Sequence, residues 1–344
     1  MKLQITHETL YDYRPAVETA QHMAYLTPLN NASQTLLNHK LLVSPEPARI
    51  NQTQDVFGNS RSFFSLQVPH TRLQVLASSQ VLTQAVHLPR SELGWETVRE
   101  HFRYQAQAGF EAANEFVFGS PMVPRHAEFA AYARPSFGPG AGLLAAATDL
   151  MHRIYKDFTY ESQSTEVNTP ALEALAQRKG VCQDFAHIFI ACLRSLGLPA
   201  RYVSGYLLTV AAPGTVKLKG SDASHAWASV YIPDLPEGQR WVDLDPTNDR
   251  AGRPSPGEDY VTLAVGRDFS DVSPIRGVIH GGASHTLKVG VTVEPVAEPL
   301  QAKPPGQTQT QSQSQGQHFG PSQSQAQGQA FGQQQGQNSG FTNP

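Results

Sequence analysis

The sequence predicts an α+β protein in which a set of helices leads into an antiparallel sheet, with a β-rich region in front and a disordered tail behind. Three observations carry this prediction. Short alternating runs of apolar and polar residues, broken by turn residues, fill the chain from Met1 to about Thr83. Apolar residues then recur at helical spacing between Gly142 and Leu196, and β-rich runs follow from Arg201, the order expected of an α+β core. Beyond Pro299 the chain is nearly all Gln, Ser, Gly, Thr and Pro, with Lys303 its only charged side chain, too little apolar surface to offset the entropy of ordering.

The composition narrows the function classes. A chain of 344 residues with 40% hydrophobic residues can bury a real core. Its formal charge of −3 and the lack of any Lys/Arg run argue against a nucleic acid or an anionic membrane as partner. No stretch of about 18 apolar residues suggests a membrane span. The start Met1-Lys2-Leu3-Gln4-Ile5-Thr6-His7 lacks the apolar core of a signal peptide, so a cytoplasmic location is expected. The two cysteines, Cys182 and Cys192, would lie about 15 Å apart on one helix, too far for a disulfide. Free thiols suit a reducing compartment.

In the N-terminal region Leu3 and Ile5 alternate with Gln4 and Thr6, and Leu41 to Val43 stops at Ser44-Pro45. Phe57-Gly58-Asn59 reads as a turn ahead of Phe63 to Val68, and Leu73 to Leu82 alternates again. His7, His22, His39 and His70 have no metal-ligand spacing and read as structural or surface residues. A helix carrying Leu93, Trp95, Val98 and Phe102 would start at Ser91-Glu92, with a second amphipathic piece around Phe129 and Tyr132. Pro135-Ser136-Phe137-Gly138-Pro139-Gly140 marks a boundary; it lacks the preceding strand and following Lys-Ser/Thr of a phosphate loop. The expected organisation is a β-rich domain over 1–84, a helical connector over 85–140, a catalytic domain over 141–298 and the tail over 299–344.

From Gly142 to Phe158 the pattern is helical, and Thr169-Pro170 is a helix start running to Lys179 and ending at Gly180. A new helix then carries Phe185, Ile188, Phe189, Cys192, Leu193 and Leu196, stopping at Gly197 and Pro199. Cys182 falls at its mouth. The unpaired N–H groups and positive dipole end of a helix N-terminus favour a thiolate, so this is the candidate nucleophile. Cys192 falls in the apolar stripe and reads as a small buried hydrophobe.

Strands are expected at Arg201 to Leu208, Ser224 to Ile232 and Trp241 to Leu244, with Ala211 to Asp222 a polar connection; Asp259 to Val265 and Thr286 to Val293 would add two more. His225, Trp227, Ser229 and Tyr231 share one strand face, opposite Ala226, Ala228, Val230 and Ile232. Trp241, Asp243 and Asp245 share a face of the next strand, and a hairpin across Pro233 to Arg240 would bring an aspartate beside His225. Neutral imidazole can then take a proton from Cys182 while a carboxylate fixes its tautomer. Asp243 and Asp245 lie only about 7 Å apart along the strand, and spacing does not choose between them.

Four blocks identify a resemblance: Gly180-Val181-Cys182-Gln183-Asp184-Phe185-Ala186-His187, Ala200-Arg201-Tyr202-Val203-Ser204-Gly205-Tyr206, His225-Ala226-Trp227, and Trp241-Val242-Asp243-Leu244-Asp245-Pro246-Thr247-Asn248. In this order they resemble the transglutaminase-like family of thiol enzymes, and more narrowly its bacterial members with a β-rich N-terminal domain. The likeness spans roughly residues 1 to 295. It implies a papain/transglutaminase-like core, with the Cys helix packed on an antiparallel sheet, and a triad of Cys182, His225 and Asp245. Ser229 departs from the pattern, since many relatives carry a glutamate two residues after the tryptophan.

The expected chemistry is attack on an amide bond, in a peptide or a Gln side chain, through a thioester on Cys182. The expected partner is therefore a peptide or protein amide substrate, with hydrolysis favoured over transfer to an amine, the protein-glutamine transglutaminase alternative. A non-catalytic binding module on the same fold is the rival, against which the intact Cys, His and Asp argue. Gln183, Trp227 and Trp241 are candidates to line the substrate cleft. Asp184 suits the helix dipole, and His187 reads as a helix-packing residue. The Cys182 backbone N–H is the natural first oxyanion donor, with Gln183 and the Phe158/Tyr160 region as candidates for the second. No cofactor or metal is expected, and Asp222, Asp234 and Asp249 lack the dense acidic loop of a calcium site. The Gln-rich tail could itself serve as an acyl donor tethered near the site.

Overall fold

Strand β1 (Lys2–Ala24) is the spine of the N-terminal half of the computed structural model, which describes residues 1–84, 87–103, 109–161, 169–209, 223–253, 255–282 and 284–296. The polar connection at 211–222 and the tail at 299–344 lie outside the described residues, and residues 1–298 form a single unit. Along β1, Leu3, Ile5, His7 and Thr9 are buried in strict alternation, the pattern that the opening residues predict. Strands β2 (Gln34–Ser44), β3 (Ile50–Gln54), β4 (Ser60–Leu66) and β5 (His70–Thr83) join it in the order β2-β5-β1-β4-β3.

The middle of the chain is helical: α1 (Trp95–His101), α2 (Ala127–Ala133), α3 (Leu143–Asp157), α4 (Ala171–Gln177) and α5 (Cys182–Ser195). Helix α1 starts four residues later than Ser91 suggests. The residues before it are spent in extended pairing, with a Gly94–Gly142 bridge and the Leu143 N–H donated to the Leu93 carbonyl at 2.8 Å. The two-residue strands β6 (Thr159–Tyr160) and β7 (Lys179–Gly180) pair in parallel between α3 and α5.

The second sheet is antiparallel, as the order of elements predicts. It contains β8 (Ala200–Leu207), β9 (Ser224–Tyr231), β10 (Trp241–Asp245), β11 (Arg250–Gly252) and β12 (Tyr260–Gly266), ordered β11-β10-β9-β8-β12. Phe185, Ile188, Phe189 and Leu193 of α5 share a core with Ala226, Ala228 and Val230 of β9, the aliphatic face picked out by period-2 alternation. The opposite face carries Val203, Trp227, Tyr260 and Val265, against which Phe57 from the β3–β4 turn packs.

After the short helix α6 (Phe269–Val272), the chain forms β13 (Ile275–Gly281) and β14 (Ser284–Pro295). Thr286 to Val293 does not extend the second sheet. It pairs with β1 from Leu3↔Pro295 to Arg14↔Ser284, because β1 has a free edge there and β12 does not. The edge of β12 is sealed by side-chain amides from the first sheet. Gln34 accepts from the Thr262 N–H at 2.7 Å and donates to its carbonyl at 2.9 Å, and Asn59 does the same for Val265 at 2.8 and 2.7 Å. These pairs satisfy an edge strand that would otherwise present bare backbone groups. No helix among the described residues is long and apolar enough to cross a membrane.

Candidate active site

The thiol is set by the turn that precedes it. Helix α4 ends where Arg178 adopts a left-handed φ of 56°, so the stop comes two residues before Gly180. Gly180 is needed for a different reason: a Cβ there would lie 2.7 Å from the Asp184 carboxylate. That carboxylate folds back to accept the Val181 N–H at 2.9 Å, which closes the first turn of α5 and puts an acidic group at its positive end. Cys182 is the first helical residue and is half-buried, whereas Cys192 is fully buried and its thiol is pushed up by that burial.

The hairpin of β9 and β10 pairs Trp241↔Tyr231 and Asp243↔Ser229, and it separates the two aspartates. His225 Nε2 donates to Asp245 Oδ2 at 2.7 Å, with the two side chains 7% and 0% exposed. Cys182 lies close enough to the ring to help hold its proton. Asp245 collects more donors: the Tyr260 hydroxyl at 2.7 Å and the Asn248 amide at 2.8 Å on Oδ2, and the Thr247 N–H at 2.8 Å on Oδ1. The Asn248 amide also lies 3.2 Å from His225 Nε2, but both atoms carry protons, so the carboxylate takes both donors.

Charge follows from this geometry. Burial alone lowers the His225 pKa, but the Asp245 charge, the hydrogen bond the ring donates to Asp245 and the nearby Cys182 outweigh it and push the ring up to about 10. Burial likewise favours a protonated Asp245, and the His225 charge with hydrogen bonds from His225, Tyr260 and Asn248 instead holds it below the usual carboxylate range. Both shifts favour an imidazolium beside a carboxylate.

Asp243, which spacing alone could not separate from Asp245, has other partners. Its Oδ2 accepts the Trp227 indole N–H at 2.7 Å, and its Oδ1 accepts the Ser229 hydroxyl. Burial pushes Asp243 up to about 6 against the opposing pull of Arg201 and these two hydrogen bonds. Trp227 is fully buried, so it does not form an open cleft wall: it lies under His225 with ring centroids 6.0 Å apart and planes at 27°. Trp241 is half-buried at the other end of β10, about 13 Å from Asp245 along the strand. There it stacks under the Arg201 guanidinium at 4.3 Å and lines a separate cavity of about 960 Å³ with Phe116 and Tyr231. Gln183 is half-buried in the first turn of α5, beside the thiol. His187 is buried, accepts the Phe269 N–H at 3.2 Å and lies against Tyr202, which makes it a packing residue of α5. No cluster of three His, Cys, Asp or Glu side chains suited to a metal exists among the described residues.

Residues 3–82 match the family described as the bacterial transglutaminase-like N-terminal region, and residues 130–246 match the transglutaminase-like superfamily. Uncharacterized proteins of Mycobacterium tuberculosis and Mycobacterium bovis are 38% identical over 302 residues, which is 86% of this chain and 93% of theirs. The chain belongs to the transglutaminase-like superfamily. An uncharacterized Mycobacterium leprae protein is 30% identical over 299 residues, covering 86% of this chain and 99% of that protein. Among solved structures, a Cytophaga hutchinsonii protein described as a candidate cysteine protease shares the fold, with a TM-score of 0.62 and 23% identity over 87% of this chain and 92% of that one. Within this transglutaminase-like frame, Tyr260 and Asn248 are the partners of Asp245 that sequence reasoning missed. Asn248 follows Asp245-Pro246-Thr247 and could have been suspected from the turn it sits in. Tyr260 is 15 residues away on a strand beyond the pairing partners of β10, and no local signal marks it.

Proposed function

We propose that this chain is a thiol enzyme that cleaves amide bonds through a thioester on Cys182, with His225 as proton carrier and Asp245 as its orienter. The observation that carries this reading is the buried His225–Asp245 pair at 2.7 Å, with Cys182 near the ring at a helix N-terminus.

In the proposed reaction the sulfur attacks the carbonyl carbon as a thiolate, leaving the proton on His225. The tetrahedral oxyanion is met by the Cys182 N–H, which at the first helical position has no carbonyl to pair with inside the helix. Imidazolium then protonates the departing amine as the C–N bond breaks, and the thioester forms. His225, now neutral, takes a proton from water as water attacks the thioester, and returns that proton to the sulfur as the acid leaves. Asp245 stabilises the imidazolium at each protonated stage and stays ionised throughout. A peptide or protein amide is the substrate class we assign, with water as the acceptor.

The test is a screen of peptide and glutamine amides with wild type and Cys182→Ala, each with and without an added primary amine. Turnover confined to wild type and unaffected by amine supports the hydrolytic reading. Product that contains the amine assigns transfer in place of hydrolysis, and turnover surviving in Cys182→Ala removes the thiol mechanism.

A further inference from the structure

We propose that Asp243 is a positioning residue for the site, holding the Trp227 indole as the platform on which the His225 ring rests. The inference rests on the triad reading above and adds a second carboxylate to it, one that touches no reacting atom.

The observations form a connected chain. Asp243 and Ser229 sit directly opposite each other on the β9–β10 ladder, and Trp227 is two residues from Ser229 on the same face. Asp243 accepts from both, with its side chain buried. A buried indole N–H needs a partner, and this carboxylate is the one it has. The bond fixes the rotation of the indole about its side-chain torsions. The indole in turn stacks with His225 at 6.0 Å between ring centroids and meets Tyr260 edge-to-face at 5.3 Å. Tyr260 is a donor to Asp245, so the same indole supports both the imidazole and a side chain that holds the triad carboxylate.

The backbone around the indole is cut to fit it. A Cβ on Gly205 would lie 2.5 Å from the Trp227 ring, so only glycine leaves that space on the neighbouring strand. A cationic imidazole over an indole face is also favoured electrostatically, which gives the stacking a functional sign. The charged group facing Asp243 is Arg201 from β8, whose Nε reaches Ser229 at 3.4 Å; β9 presents the neutral Trp227 and Ser229, and β11 pairs there through Gly252. A carboxylate this deeply buried is costly to keep unless its bonds do something specific. Here they orient an aromatic ring beneath the proposed proton carrier.

The experiment follows two readouts in wild type, Asp243→Ala, Asp243→Asn, Trp227→Phe and the Asp243→Ala/Trp227→Phe double variant. One is the titration midpoint of the His225 ring by NMR; the other is the rate of Cys182 alkylation by iodoacetamide, resolved from Cys192 by peptide mass spectrometry. Asp243→Ala and Trp227→Phe are each expected to lower the His225 midpoint and to slow Cys182 alkylation about tenfold, the size of one hydrogen bond to a charged group. The double variant is expected to be no slower than the single ones, because both remove the same bond. Asp243→Asn keeps an acceptor for the indole and is expected to restore values close to wild type.

An unchanged His225 midpoint in both Asp243→Ala and Trp227→Phe overturns the proposal, as do single effects that multiply in the double variant. Trp227→Phe and Asp243→Asn keep the proposal open to refutation even when Asp243→Ala does not fold. Failure of the triad reading looks different: His225→Ala would leave Cys182 alkylation at the wild-type rate, while the NMR midpoint would still report whether Asp243 acts on the ring.

Discussion

Tyr260 donates its hydroxyl to the same Asp245 oxygen that accepts from His225, at 2.7 Å in each case. The tyrosine is therefore part of what keeps the carboxylate ionised. Tyr260→Phe removes one of the donors on a charged, buried acceptor, a bond of about 1.5–3 kcal/mol. Turnover is expected to fall at least tenfold, and the acidic limb of the pH–rate profile to move to higher pH, because Asp245 becomes easier to protonate. Rate measurements on wild type and Tyr260→Phe between pH 3 and pH 7 check both effects.

The raised His225 pKa makes a statement about stability. An ordinary unfolded histidine titrates near 6.5 and the folded ring near 10, so the His225–Asp245 pair stabilises the fold fully below pH 6.5. That contribution is lost as pH rises through 10. Asp245→Ala removes the largest influence opposing burial, and the His225 pKa is expected to fall. Denaturant titrations of the two proteins should differ most just below pH 6.5, and the difference should shrink as pH rises through 10.

Two histidines of the first sheet have the opposite sign. Burial lowers His7 and His22 to about 4, and both nitrogens of His22 lack a hydrogen-bond partner. Their neutral forms stabilise the fold above pH 6.5, and that stability is lost as pH falls through 4, on the order of 3 kcal/mol for each ring. His22→Phe should therefore flatten the fall in thermal midpoint between pH 6.5 and pH 4. A slope equal to that of wild type would show that His22 is not the group responsible.

Gly205→Ala tests the fit of the platform beneath His225. The added methyl would meet the Val261 carbonyl at 2.2 Å and the Trp227 ring at 2.5 Å, so strand and indole must both move. A destabilisation of at least about 1–3 kcal/mol is expected, with a drop in turnover larger than that of a remote variant of equal stability. Thermal unfolding together with activity well below the midpoint separates the two effects.

The parts of the molecule legible in the sequence are those written in local patterns. The stripe from Phe185 to Leu193 marks α5, the alternation from Ser224 to Ile232 marks β9, and eight residues between two strands imply the hairpin that brings Asp245 to His225. What escaped depends on pairings far apart along the chain. Strand β14 reads like any other strand, and only the free edge of β1, nearly 300 residues earlier, decides that it leaves the second sheet. Helix α4 stops at Arg178 because the next residues are drawn into pairing with Thr159 and Tyr160, which no helix signal reveals. Trp227 and Trp241 look alike as strand aromatics, yet one is sealed beneath the imidazole and the other lines a cavity at the far end of the sheet. Periodicity gives a side chain its face; the neighbouring strand decides what it meets there.

The claim on which the rest depends is that Cys182 and His225 act as one unit. The most direct measurement is the rate of iodoacetamide alkylation at Cys182, relative to Cys192, between pH 5 and pH 9 in wild type and His225→Ala. Wild type should label Cys182 much faster than Cys192 at neutral pH, and His225→Ala should remove most of that advantage. Equal, slow labelling of both cysteines in wild type, or a Cys182 rate that does not change in His225→Ala, would contradict the account.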